Sequence, residues 1–384
     1  MEIEAPVAKG IEGLETVITE EKAPFIRLPS GEELLLMERV SAELKKKAKS
    51  LVVVGMGGSS RGAKAVCEAV RRDGGRVKFL DNLDEALIEE VLEGLDWSST
   101  AFAFISKSGK TLETITIMNV ILEELVRRGE NPKERCVFIG DRGKAFEELS
   151  REMGVFFLEI PESIGGRFSV FTASGLFPLI FGGYEIREFL RGAKRAIEKA
   201  EQVKNFTLYK FENYKRGRDI SVIMPYSSFM NEFSEWYVQL WGESLGKDGK
   251  GQTPLKAVGT SSQHAILQLF LEGKDDKFYQ IIEIEEKGRI KLREAKILDY
   301  LKNKSVQEIV KAELIGTLKA LREKGRPVSV IKLKALNEGE MGELMMFYML
   351  STVMMAELMG VNPYGQPAVE IGKRYAREIL KRGG

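Results

Sequence analysis

Histidine and cysteine are nearly absent: one histidine and two cysteines in 384 residues. Protein sites for zinc and its neighbours draw on clusters of such ligands, so a lone His264 with Cys67 and Cys136 far apart implies no metal. Neither cysteine has a partner at redox-motif spacing, and each stands in an apolar segment, so a reducing, cytoplasmic compartment is expected. Charge of one sign is also lacking, because 58 basic and 57 acidic residues leave a net +1. That balance gives no broad attraction to nucleic acid or to an anionic membrane, so any anionic ligand must be held locally. Residues 1–10 lack a basic stretch followed by an apolar core, so no secretory signal is expected. The longest apolar run, 344–359, contains Glu357 and is too short to cross a bilayer. It predicts a buried helix or a subunit interface.

What is present is an alternating pattern. Apolar runs at 51–55, 77–80, 101–105, 136–139 and 155–160 read as strands, separated by helical stretches from residue 60, at 84–95, at 111–128 and at 144–153. Continuous apolar strands between helices are those of a parallel sheet covered on both faces. After a mostly helical stretch, 185–215, the unit repeats with strands at 220–224, 278–284 and 328–333 and helices at 230–245, 262–272 and 306–324. The expected fold is therefore α/β, with two doubly wound domains of mainly parallel strands over 1–200 and 201–360. The Lys- and Glu-rich stretch 285–303 is expected to be a solvated excursion, and 361–384 a C-terminal helix packing back on the body.

Ligands of such folds bind at the C-terminal ends of strands, and the polar loops lie there. Gly57-Gly58-Ser59 follows the first strand and opens a helix, where glycines let backbone N–H groups approach an anion. Ser106-Lys107-Ser108-Gly109-Lys110-Thr111 gathers hydroxyls and lysines between a strand and a helix start, a composition suited to a phosphate monoester. The plainer alternative is that Ser108 or Thr111 caps the helix.

Gln239, Glu243 and Lys247 are four residues apart on a predicted helix, with Trp236, Tyr237 and Trp241 nearby. A surface Glu–Lys pair is one reading. The other is a carboxylate beside aromatic rings, with its pKa raised toward that of a general base. His264, titrating near neutrality, opens a later helix and is read either as an acid/base group or as a structural histidine. Gln366 and Lys373 share a face of the C-terminal helix, where Gly372 suggests close approach by a ligand or by backbone.

Taken in order, Gly57-Gly58-Ser59, the 106–114 loop, Gly165-Gly166-Arg167-Phe168-Ser169, Gln239 with Glu243-Ser244-Leu245-Gly246-Lys247, Gln263-His264, and Gln366 with Val369-Glu370-Ile371-Gly372-Lys373 resemble the glucose-6-phosphate isomerase family of the two-SIS-domain type. The resemblance runs through most of the chain. It implies reversible interconversion of glucose 6-phosphate and fructose 6-phosphate through a cis-enediol, the step shared by glycolysis and gluconeogenesis. Ser106, Ser108 and Thr111 are then the phosphate cradle, with Lys107 and the backbone of Gly58 and Ser59 closing around the sugar phosphate, and Gln239 and Gln366 bind the substrate. Glu243 corresponds to the base, and Arg167 to the group that stabilises negative charge on the intermediate. His264 and Lys373 correspond to the ring-opening residues, with His264 supplied by the neighbouring subunit of a homodimer. No cofactor is implied, and one phosphate site per subunit is expected, formed mainly by the first domain. Two alternatives stay open: a dual-specificity phosphoglucose/phosphomannose isomerase, and a non-catalytic regulator that binds sugar phosphates.

Overall fold

A computed structural model describes residues 1–6 and 19–382. The chain starts with β1 (Glu2–Glu4) and α1 (Gly31–Lys45), the latter opened by a capping box between Ser30 and Glu33. There follow β2 (Ser50–Val54), α2 (Arg61–Val70), β3 (Val77–Leu80), α3 (Glu85–Glu93), β4 (Thr100–Ile105), α4 (Leu112–Arg127), the short α5 (Pro132–Arg135), β5 (Cys136–Gly140), α6 (Ala145–Met153) and β6 (Phe156–Glu159). Strands β2 to β6 form one all-parallel sheet in the order β3-β2-β4-β5-β6. The central β4, Thr-Ala-Phe-Ala-Phe-Ile, is buried along its whole length, the two-sided burial that its unbroken apolar run predicts.

Helices α7 (Ala173–Gly182), α8 (Ile186–Glu198) and α9 (Ala200–Lys215) lead to the second sheet. It is built from β7 (Ile220–Pro225), β8 (Thr253–Lys256), β9 (Lys277–Ile284) and β10 (Val328–Leu333), with α10 (Asn231–Leu245), α11 (Gln263–Glu272) and α12 (Val306–Glu323) between them. Its order is β1-β10-β9-β7-β8, and β1 runs antiparallel to β10. The first strand of the chain thus belongs to the second sheet, which corrects the expectation that the first 200 residues make up one domain without interruption. β8 was not anticipated either. It is a four-residue edge strand carrying Pro254, and proline, which donates no ladder hydrogen bond, is tolerated at an edge.

The apolar run at 344–359 lies inside α13 (Glu338–Met359), almost all of which is buried against α8, α9 and α10. The helix is core, so the run gives no support to a subunit interface. Glu343, fully buried, is compensated by Arg195 at 2.8 Å and Lys199 at 2.6 Å, which hold its carboxyl below the ordinary range against the cost of burial. The stretch 285–303 is largely exposed, as expected.

The last helix, α14 (Val369–Arg382), forms but has no buried residue. This corrects the expectation that it packs back on the body. Val369, Ile371, Tyr375, Ile379 and Leu380 remain exposed because no other element among the described residues packs over them.

Candidate active site

The loops after β2 and β4 leave the C-terminal edge of the first sheet side by side, since these strands are neighbours. Gly57 takes the left-handed conformation (φ 55°), and a side chain there would meet the amide of Gln239 on α10. Gly58 is tighter: a β-carbon would stand 2.2 Å from the carbonyl of Gly166. Only glycine lets this loop lie against the Gly165-Gly166-Arg167 loop, and Ser169 Oγ donates to the Gly166 carbonyl at 2.7 Å. Two loops a hundred residues apart in sequence are thereby locked together beside α10.

Arg167, buried by this contact, spends its guanidinium entirely on protein acceptors. Nε donates to Ser244 Oγ (2.8 Å), Nη1 to Glu243 Oε2 (3.2 Å) and Gln366 Oε1 (2.9 Å), and Nη2 to the carbonyls of Pro363 and Gly365. These five bonds match the five N–H donors of the group. Burial pulls its pKa down and the Glu243 carboxylate pushes it up; the net is a lowering from the ordinary guanidinium value. Glu243, about a third exposed, also accepts from Gln239 Nε2 at 3.1 Å. The remaining Gln239 oxygen is buried with no hydrogen-bond partner among the described residues, an acceptor left over for a ligand hydroxyl.

The groups bonded to Glu243 are thus an amide and a cation, not the aromatic rings. Trp236, Tyr237 and Trp241 are fully buried and pack into the core. Nor does Lys247 pair with Glu243. Its ammonium donates to the carbonyls of Asn362 and Tyr364 and ties down the loop that carries Gln366. Burial, then the charge of Arg167, lowers its pKa to about 8, partly offset by Asp248 and Glu243.

In the 106–111 loop Ser106 Oγ and Thr111 Oγ1 lie 2.9 Å apart. Thr111 is the N-cap of α4, yet its hydroxyl makes no capping bond, so the helix-cap reading of Thr111 fails and the first-turn N–H groups of α4 stay open toward an anion. Ser108 is exposed and accepts from Lys110 N at 3.2 Å. The Lys107 ammonium does not face the cradle. It donates to the carbonyls of Glu162 (2.6 Å) and Ile164 (2.9 Å) and braces the loop leading to Arg167, which corrects its expected place around the phosphate.

Gln366 joins the cluster through Arg167, but His264 and Lys373 do not. His264 is exposed at the start of α11 and makes no side-chain hydrogen bond among the described residues. Lys373 is exposed on α14, paired with Glu370 at 2.8 Å. Around Gly372 a side chain would meet open space, so the close approach expected there is not made within the chain. Sequence reasoning read Lys247 only as one member of a surface Glu–Lys pair and gave Ser244 no role, although both stand inside a quoted motif. It gave none to the carbonyls of Pro363 and Gly365, which side-chain composition does not reveal. Among the described residues no group of three or more His, Cys, Asp or Glu is placed to hold a metal ion.

Two mainly parallel sheets, a hydroxyl-rich loop at a strand end and one carboxylate held between an amide and a guanidinium define a class: an α/β protein with a polar site at its strand ends, as small-ligand enzymes of this architecture have. Comparison with known proteins narrows it. The phosphoglucose isomerase family pattern matches residues 37–383. The glucose-6-phosphate isomerase of Rubrobacter xylanophilus is 34% identical over 96% of this chain and 91% of its own. A hypothetical protein of Thermus thermophilus superposes with a TM-score of 0.85 at 31% identity, over 94% of this chain and 90% of that one. The glucose-6-phosphate isomerase of Chlamydia trachomatis gives 0.80 at 25% identity, over 91% and 73%. The chain belongs to the phosphoglucose isomerase family.

Proposed function

We propose that the cluster around Glu243 interconverts glucose 6-phosphate and fructose 6-phosphate. The carrying observation is the convergence of Arg167 and Gln366, from two loops far apart in the chain, on Gln239 and Glu243 of α10. Glu243 takes the proton from C2 of the open-chain aldose and returns it to C1, while the hydroxyl proton passes between O2 and O1 through a cis-enediol. Arg167 acts as a fixed cation beside the reacting carbons. With its donors already committed, it stabilises the developing charge by its field and by holding Glu243 and Gln366 in place. Ser106, Ser108 and Thr111, with the backbone of Lys107, Gly58 and Ser59, seat the phosphate, and Gln239 and Gln366 position the sugar.

His264 and Lys373 serve ring opening, with His264 arriving from the second copy of a homodimer in the cytoplasm. Their exposure in their own chain, together with the uncovered apolar stripe of α14, supports that arrangement. The two sheets stand as two domains of SIS type meeting near residue 200. No cofactor takes part.

The test is conversion of fructose 6-phosphate by purified protein in the presence of a chelator, with mannose 6-phosphate alongside. Turnover of the glucose and fructose phosphates alone is expected. Turnover of mannose 6-phosphate as well would replace this reading with dual specificity, and binding without turnover would replace it with a sugar-phosphate-binding regulator.

A further inference from the structure

At the amino-terminal edge of the second sheet, away from the strand ends that carry the catalytic loops, a cavity of about 490 Å³ opens between the end of α9, the end of α12 and the start of β10. Four arginines line it: Arg216, Arg218, Arg322 and Arg326. Among the described residues one carboxylate, Asp275, is ion-paired with them, shared between Arg218 Nη2 at 2.7 Å and Arg326 Nη1 at 3.2 Å. Arg326 Nη2 also donates to the carbonyls of Leu271 (2.9 Å) and Gly273 (2.7 Å). Glu4, the acid in the lining, is paired with Lys332. The guanidiniums of Arg216 and Arg322 make no ion pair or hydrogen bond among the described residues, and the buried Nε of Arg326 has no acceptor.

Arginine at the end of a helix is ordinarily explained by the helix dipole, and Arg216 and Arg322 do sit at the ends of α9 and α12. That accounts for each residue on its own helix. It does not account for two such ends converging with Arg218 and Arg326 on one cavity, where like charges repel unless an anion joins them. The walls also include Tyr209 and Asn213 of α9, which supply ring and amide surface. The volume lies within the range of small-ligand sites, and guanidinium forks match phosphate oxygens in pairs.

We propose that this cavity is a second anion site, separate from the catalytic one, for a compact phosphorylated molecule bearing at least two phosphate charges. The two ion-paired arginines form its floor, and the two unpaired ones close on the ligand from the helix ends.

The proposal is tested by calorimetric titration of the full chain with inorganic pyrophosphate, after the catalytic cradle has been filled with a hexitol 6-phosphate, which lacks the carbonyl needed for reaction. One further site per chain is expected, weakening as salt is raised. In the Arg216→Ala/Arg322→Ala variant, affinity for pyrophosphate should fall about tenfold or more, as loss of charge-assisted contacts requires. Because both side chains are exposed and outside the catalytic cluster, sugar-phosphate turnover should be unchanged and will report that the variant is folded. Absence of a pyrophosphate site in the hexitol-filled protein, or unaltered pyrophosphate affinity in the double variant, would overturn the proposal.

Discussion

Arg167 is the residue on which the site turns. Its partners come from α10 and from the 363–366 loop, so one side chain fixes the Glu243 carboxylate, the Gln366 amide and the loop that leads into α14. Lysine at this position keeps the charge but brings three donors on a flexible stem in place of a planar fork of five. Arg167→Lys is therefore expected to lower kcat about a hundredfold, the scale of losing a preorganised electrostatic contact. A kcat within a few-fold of the unaltered protein in steady-state assays would show that charge alone suffices. Arg167 was legible as a candidate because it follows two glycines in a quoted motif. That it has no donor to spare was not, since its acceptors lie between 76 and 199 residues away along the chain.

At the level of elements, two devices assemble the site. One is the glycine contact between the loops after β2 and before α7, and the other is the pinning of the 362–364 loop by Lys247. The second carries a pH dependence. With its pKa lowered to about 8, Lys247 holds its loop carbonyls as an ammonium below that pH and loses the charge above it. The pH profile of kcat/KM is expected to decline above about 8, and Lys247→Arg, which stays charged, should move that decline to higher pH. A limb that stays put in the variant would assign it to another group.

The elements themselves show where sequence reasoning reaches. Strands such as β4 and β9 were legible because two-sided burial forces unbroken apolar runs. β1 and β8 were not, being short edge strands of three and four residues with charge or proline in them. The cradle loop was legible by its hydroxyls. The turning of the Lys107 ammonium toward the Glu162 and Ile164 carbonyls was not, because backbone acceptors leave no pattern in side-chain composition.

For the whole molecule, α14 poses the main question. Ile371, Tyr375 and Ile379 repeat every four residues and, with Leu380, are left uncovered by the described residues of their own chain. A stripe of this kind marks an association surface, and a second copy that covers it would also bring another His264 within the assembly. Ile379→Glu/Leu380→Glu, remote from the catalytic cluster, is expected to convert a dimer to monomer in sedimentation velocity and to lower activity at dilute protein. A dimer that survives the double charge would place the interface elsewhere.

The claim that most directly needs testing is that Glu243 moves the proton. The assembled protein should be incubated with fructose 6-phosphate in deuterated water and the hexose phosphates read by NMR for deuterium at C1 and C2. A single carboxylate that carries the proton between the two carbons should exchange part of it with solvent, and Glu243→Gln, nearly isosteric with no basic oxygen, should abolish both turnover and exchange, by at least about a hundredfold. Exchange that persists at the original rate in Glu243→Gln would contradict the account and assign the base to another residue.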